Sequence, residues 1–197
     1  MGTIKNMVKS RGVRHSITRF LRFVPTPLYI SLYYWAATGK WPDLKHPTYF
    51  NEKLQWMKIH EDYTKYRDYA DKIKVRDIIK EKIGDGYMFP MLGKWKSFDE
   101  IDFDSLPEEF VLKCNHDSGS VNLIRNKSAL TKEKMESLRK FYASRLKQDF
   151  YEYGREPCYK GIDRYIFAEK FMKDPSGGVG GIKDYKFFCF NGKPEIM

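Results

Sequence analysis

Lys113 interrupts an otherwise apolar run, Phe110-Val111-Leu112-Lys113-Cys114, and the small residues Ser118-Gly119-Ser120 follow shortly after it. The run is rich enough in Phe, Val and Leu to read as a β-strand. A point cation at a strand end, beside residues whose backbone N–H groups can approach an anion closely, suits a polyphosphate. The same residues also describe a half-exposed strand lysine followed by an ordinary turn, and the run alone does not separate the two. Asp71-Lys72 offers a second cation. Asp71 can cap the helix that begins there, whereas Lys72 stands at the helix end where the dipole disfavours positive charge. Recruitment by an anion and plain solvation both fit that placement.

Other constellations carry less. Asp102-Phe103-Asp104 has the D-x-D spacing by which many glycosyltransferases hold a metal and a nucleotide-sugar diphosphate, a spacing also common in acidic turns. His116, Asp117 and Ser118 are adjacent, so their side chains diverge. They cannot form a nucleophile–base–orienter relay, and no G-x-S-x-G elbow is present. His15, His46, His60 and His116 lack the spacing of a zinc site and read as surface or capping residues. Cys114, Cys158 and Cys189 are odd in number without a C-x-x-C pair, which suits free thiols in a reducing, cytoplasmic setting.

The elements that must position these groups follow from periodicity. Thr48 to Ile59 reads as a helix with Phe50, Leu54, Met57 and Trp56 as its apolar residues. Asp71 to Ile83 is a second helix with Val75, Ile78, Ile79 and Ile83 on one face and Gly84 as its stop. Met88 to Glu109 reads as a loop containing a short strand. Thr131 to Phe150 is the strongest helix, capped by Thr131, with Met135, Leu138, Tyr142, Leu146 and Phe150 as its buried stripe. Arg164 to Met172 is a strand with Glu169 near its exit. Ser176 to Gly181 is a glycine-rich connection leading towards another strand, which excludes a Walker-type phosphate loop. Asp184 to Phe190 and Lys193 to Met197 form a hairpin across Asn191-Gly192, a type I′ turn pair.

The 197 residues carry 42% hydrophobic and 16% aromatic residues, enough for a buried core. The formal charge of +10 is uneven: seven basic residues and no acidic one precede Asp43, leaving 29 basic against 26 acidic residues in the remainder. The basicity thus belongs to an aromatic N-terminal segment that suits either an anionic membrane surface or packing on the domain. No nucleic-acid motif accompanies it. The most apolar stretch, Phe23 to Ala37, falls short of the roughly 20 residues a membrane span needs.

Taken in order, the blocks Phe50-Asn51-Glu52-Lys53-Leu54-Gln55-Trp56, Asp71-Lys72, Phe110 to Cys114 with His116 to Ser120, Ala168-Glu169-Lys170, and Asp184 to Gly192 resemble the TupA-like (teichuronopeptide-biosynthesis-like) branch of the ATP-grasp superfamily, from about Thr48 onward. The resemblance implies an α+β, ATP-grasp-like fold, with a mainly antiparallel sheet, flanking helices and a helical N-terminal segment. It divides the chain into a basic segment over 1–47, a helical lead-in over 48–109 and a nucleotide-binding region over 110–197. That region would be incomplete at its C-terminus, as a fragment or a natural truncation.

The implied activity is ATP-dependent joining of a carboxylate to an amine through an acylphosphate, in cell-surface polysaccharide or peptide-polymer synthesis. The implied place is the cytoplasm, with peripheral membrane contact through residues 1–42. ATP and Mg2+ are the implied cofactors, the metal ligands being expected beyond residue 197. By residue, Lys72 and Lys113 would contact the phosphates, and His116, Asp117, Ser118, Gly119 and Ser120 would close over them. Glu169 would lie at the adenine–ribose end, with the backbone of Lys170 and Met172 pairing the adenine edge. Asp184 and Lys186 would face the phosphates or the acceptor, which Arg155 and Lys160 would also touch. A glycosyltransferase using Asp102 and Asp104, and a non-catalytic membrane-peripheral module, are the alternatives.

Overall fold

The computed structural model describes residues 21–173 and 185–197. Helices α1 (Thr26–Thr38), α2 (Phe50–His60), α3 (Arg67–Ala70) and α4 (Lys74–Ile83) precede strand β1 (Met91–Trp95). Strands β2 (Phe110–Cys114) and β3 (Asn122–Ile124), helices α5 (Lys132–Leu146) and α6 (Tyr151–Gly154), and strand β4 (Ile166–Lys170) follow. The main sheet has the order β1-β4-β2-β3 with every neighbouring pair antiparallel. Strands β5 (Phe188–Phe190) and β6 (Lys193–Ile196) pair as a separate ribbon. The α+β class and the antiparallel sheet are as expected.

Alternation along β2 and β4 separates a packed face from a chemical one. Phe110, Leu112 and Cys114 are fully buried, and the register sets Cys114 opposite Ile166 and Leu112 opposite Ala168. These residues join Leu138 and Tyr142 of α5 in the core, with Phe98 stacked on Tyr142 at 6.0 Å between centroids. Thr131 caps α5 as expected, its hydroxyl accepting from Lys134 N–H at 3.2 Å. The helix ends at Leu146, four residues short of the expected Phe150.

The expected apolar stripe of α2 is corrected. Phe50, Leu54 and Met57 are exposed, and the buried residue of that helix is Glu52. The Glu52 carboxylate accepts N–H groups from Asp43, Thr48 and Tyr49, each at 3.2 Å. Three charge-assisted bonds to otherwise orphaned donors outweigh burial of a modest apolar face.

The hairpin turn is as expected: Asn191 and Gly192 both adopt positive φ, 50° and 77°, as a type I′ turn requires. The expected glycine-rich connection at Ser176 to Gly181 lies outside the described residues, as does Asp184. No helix among the described residues is long and apolar enough to cross a membrane.

Candidate functional site

The face of the sheet opposite α5 carries Lys113 and Glu169. Lys113 stands opposite Phe167, and Val111 opposite Glu169, so lysine and glutamate are diagonal neighbours on one side of the pleat. The Lys113 ammonium closes on Glu169 Oε2. It also lies 5.3 Å from the centre of the Phe167 ring. Glu169 is 5% exposed, and its other oxygen, Oε1, accepts from Arg76 Nη1 at 2.7 Å. Nothing in the sequence singles out Arg76; its signal is visible only once α4 is packed beside β4.

Lys72 reaches the same end of β2 by a different route. Its ammonium donates to the carbonyls of Asn115, at 3.3 Å, and Asp117. Burial pushes the Lys72 amine below the ordinary lysine value; nearby Asp117 opposes this and the charge of Lys113 adds to it. Asn115, wholly buried, fixes the approach. Its Nδ2 donates to Asp71 Oδ1 at 2.9 Å and to the Asp163 carbonyl at 2.8 Å, while its Oδ1 accepts from Tyr165 N–H at 2.8 Å. Asp71 also accepts from Ile73 N–H at 2.8 Å, in the turn just ahead of α4. The Asn115 amide thus ties the residue before Lys72 to the end of the strand that carries Lys113.

The loop after β2 is fastened from inside. Ser120 Oγ donates to Asp117 Oδ1 at 2.5 Å and accepts from Cys114 N–H at 2.8 Å. Arg145, in the last turn of α5, holds Asp117 Oδ2 through Nε at 2.6 Å and Nη2 at 2.5 Å, and its Nη2 also donates to the Ser118 carbonyl at 2.7 Å. His116 is buried, with Nε2 3.2 Å from the Arg145 carbonyl in the last turn of α5, so of the two expected roles it takes the capping one and not the surface one. The side chains of His116, Asp117 and Ser120 therefore face the protein. Ser118 and Gly119 stand exposed, Gly119 with φ 85°, and among the described residues their N–H groups meet no acceptor. What the loop offers an anion is backbone at its tip.

The remaining expected residues are placed apart from this cluster or beside it. Lys170 follows Glu169, and its N–H is bonded to the Pro90 carbonyl at 3.0 Å; Met172 lies just beyond, partly exposed. Arg155 is buried with φ 50°, donating to the carbonyls of Leu21 at 3.1 Å and Arg22 at 3.2 Å and lying 4.6 Å from the Tyr29 ring. Its guanidinium therefore docks the N-terminal segment. Lys160 is exposed, 5.7 Å from the Tyr151 ring. Lys186 is exposed ahead of β5. Asp102 Oδ1 caps its own turn, accepting from Asp104 N–H at 3.1 Å, in the loop entering the opposite end of β2 from Lys113.

A model of the TupA-like ATPgrasp family matches residues 52–197. The chain belongs to the TupA-like ATP-grasp family. The match covers the whole sheet, both lysines and Glu169. No curated protein and no solved structure matches the chain. Membership supports a broad ATP-dependent, ligase-like function, and the family generally binds ATP and Mg2+. Among the described residues no three of His, Cys, Asp and Glu converge as a metal-holding set. Glu169, the carboxylate against Lys113, is occupied by two cations, so the described residues do not fit a resident magnesium ion.

Proposed function

We propose that this member of the TupA-like ATP-grasp family takes part in ATP-dependent carboxylate–amine ligation during cell-surface polysaccharide or peptide-polymer synthesis, at the cytoplasmic side of the membrane. The observation that carries the reading is the juxtaposition of Lys72 and Lys113 near the end of β2, with Lys113 against Glu169, beside a loop tip with open N–H groups. Lys72 and Lys113 neutralise the phosphates, the Ser118-Gly119 backbone covers them, and Glu169 marks the nucleobase end, with the backbone of Lys170 and Met172 along the adenine edge.

A substrate carboxylate oxygen then attacks the γ-phosphorus and ADP leaves with the electrons of the broken P–O bond. The amine nitrogen attacks the acyl carbon, inorganic phosphate departs, and the amine's proton goes to solvent or a nearby base. The chain's part in both steps is positioning and charge neutralisation. Asp184 and Lys186 remain proposed to face the phosphates or the acceptor and Lys160 the acceptor, whereas Arg155 is buried and spends its guanidinium on the Leu21 and Arg22 carbonyls, which takes it out of that set.

Titration of the chain with Mg-ATP and with UDP-glucose, before and after Lys113→Ala, tests the reading. ATP affinity that depends on Lys113 supports it. Saturation by UDP-glucose with indifference to ATP would replace it with the glycosyltransferase alternative.

A peripheral membrane contact through residues 1–42 goes with this reading. It is supported by exposed Leu28, Leu32 and Trp35, spaced to share one face of α1, between exposed Arg22 and Lys40. Flotation on phosphatidylglycerol vesicles that survives deletion of residues 1–42 would remove its basis.

A further inference from the structure

Glu52, the buried residue of α2, turns inward to collect the N–H groups of Asp43, Thr48 and Tyr49, which leaves the outer side of the helix to its apolar residues. Phe50, Leu54 and Met57 follow at i, i+4 and i+7, are 53%, 39% and 36% exposed, and form one ridge. Helical spacing sets Lys53 on one flank of that ridge and Lys58 on the other. Ahead of it stand Trp41 and Tyr49, both exposed, with the Lys40 ammonium 5.9 Å from the centre of the Tyr49 ring. The acidic residues Glu61 and Asp62 come only after the helix has ended.

Four consecutive residues hold α1 and α2 on one support. The Tyr153 carbonyl accepts from the Tyr29 hydroxyl at 3.1 Å, and Arg155 donates to the carbonyls of Leu21 and Arg22. The Gly154 carbonyl accepts from the Lys58 ammonium at 3.1 Å, and Glu156 pairs with the same group at 3.2 Å. Charge decides what the ridge can meet. Seven basic residues and no acidic one precede Asp43, so both the chain's own N-terminal segment and a second copy of this face would set cation against cation. An anionic partner has no such cost.

We infer that α2 is a second membrane-docking element, whose Phe50-Leu54-Met57 ridge enters the headgroup–acyl boundary of an anionic bilayer. Lys53 and Lys40 then reach lipid phosphates, and Trp41 and Tyr49 rest at the polar–apolar interface, where such rings are favoured. The inference rests on the membrane contact read above for residues 1–42 and extends it to an element outside them. A single short amphipathic contact is weak and reversible, whereas two on one rigid support add.

The test is flotation of the full chain with phosphatidylglycerol vesicles and with phosphatidylcholine vesicles. The variants are Lys53→Gln and the double variant Leu54→Ser with Met57→Ser, with thermal melts as folding controls. Wild type should float with the anionic vesicles and be released as salt rises from about 0.1 M to about 0.5 M. The double variant should lose at least about tenfold in partitioning, and Lys53→Gln roughly fivefold. Mg-ATP affinity measured without vesicles should be unchanged in both. Variants that float like wild type would overturn the inference while leaving the contact through residues 1–42 standing. A wild type that floats equally on both vesicle types would overturn the anionic partner. A wild type that floats on neither would overturn both readings, and a dimer in sedimentation that the double variant abolishes would put a second copy in place of the membrane.

Discussion

Lys113 and Glu169 stand diagonally across the β2–β4 ladder on the face opposite α5, with ammonium against carboxylate. The carboxylate therefore serves as the resident counter-ion of the very group proposed to receive a phosphate. Under the proposed function, binding a triphosphate would be an exchange of partners, in which Arg76, paired with Glu169, keeps it satisfied while Lys113 turns to the ligand.

Glu169→Gln removes the competitor and leaves two cations without their shared charge. Tripolyphosphate affinity should rise, by roughly threefold to tenfold for a partly exposed contact. Isothermal titration reads the change. A fall in tripolyphosphate affinity would mean that the carboxylate supports the anion site instead of competing with it.

Arg145→Ala strands a carboxylate, Asp117, that is 1% exposed. Leaving one partner of a buried pair alone costs about 3–5 kcal/mol. In a chain of this size that lowers Tm by roughly 6–20 °C. Scanning calorimetry should find the double variant Arg145→Ala with Asp117→Asn less destabilised than Arg145→Ala alone; additive losses would show that the two groups are not coupled.

Acid should weaken the fold through His116. Burial holds its ring below the ordinary value of 6.5, with Asp117 partly opposing. The unfolded chain thus accepts a proton near that pH which the folded one refuses. Stability is whole above it and declines as pH falls towards the lower folded value. Urea midpoints measured between about pH 8 and about pH 5 should drop more steeply for wild type than for His116→Gln. Parallel curves would exclude the histidine as the source.

Thiol reactivity should rank by environment. Burial pushes the Cys114 thiol up to about 12 and also raises Cys158, whereas Cys189 is exposed on the β5–β6 ribbon. Iodoacetamide labelling followed by mass spectrometry should find Cys189 modified first and Cys114 only after denaturation. Early labelling of Cys114 would mean that β2 opens readily.

Strands with strict alternation and helices with strong caps were legible from the chain alone. Phe110 to Cys114 announces one buried face and one carrying Lys113, and Thr131 announces α5. The partners of these residues were not legible. Arg76, Asn115 and Arg145 look like ordinary polar positions on helices and loops, and their roles arise from contacts across 93, 44 and 28 residues of sequence. Local period says which side of an element is apolar, not which distant carboxylate a guanidinium will meet. The α2 stripe misled for the related reason that an acidic side chain collecting three backbone donors can claim the interior from its apolar neighbours.

Because Asp117 and Ser120 are moored beneath the β2–β3 connection, Ser118 and Gly119 form a short promontory whose side chains carry none of the scaffold. That promontory is a natural berth for a reporter. A fluorophore attached at Ser118→Cys, in a Cys189→Ser background, would sense the arrival of an anion without loosening the framework beneath it.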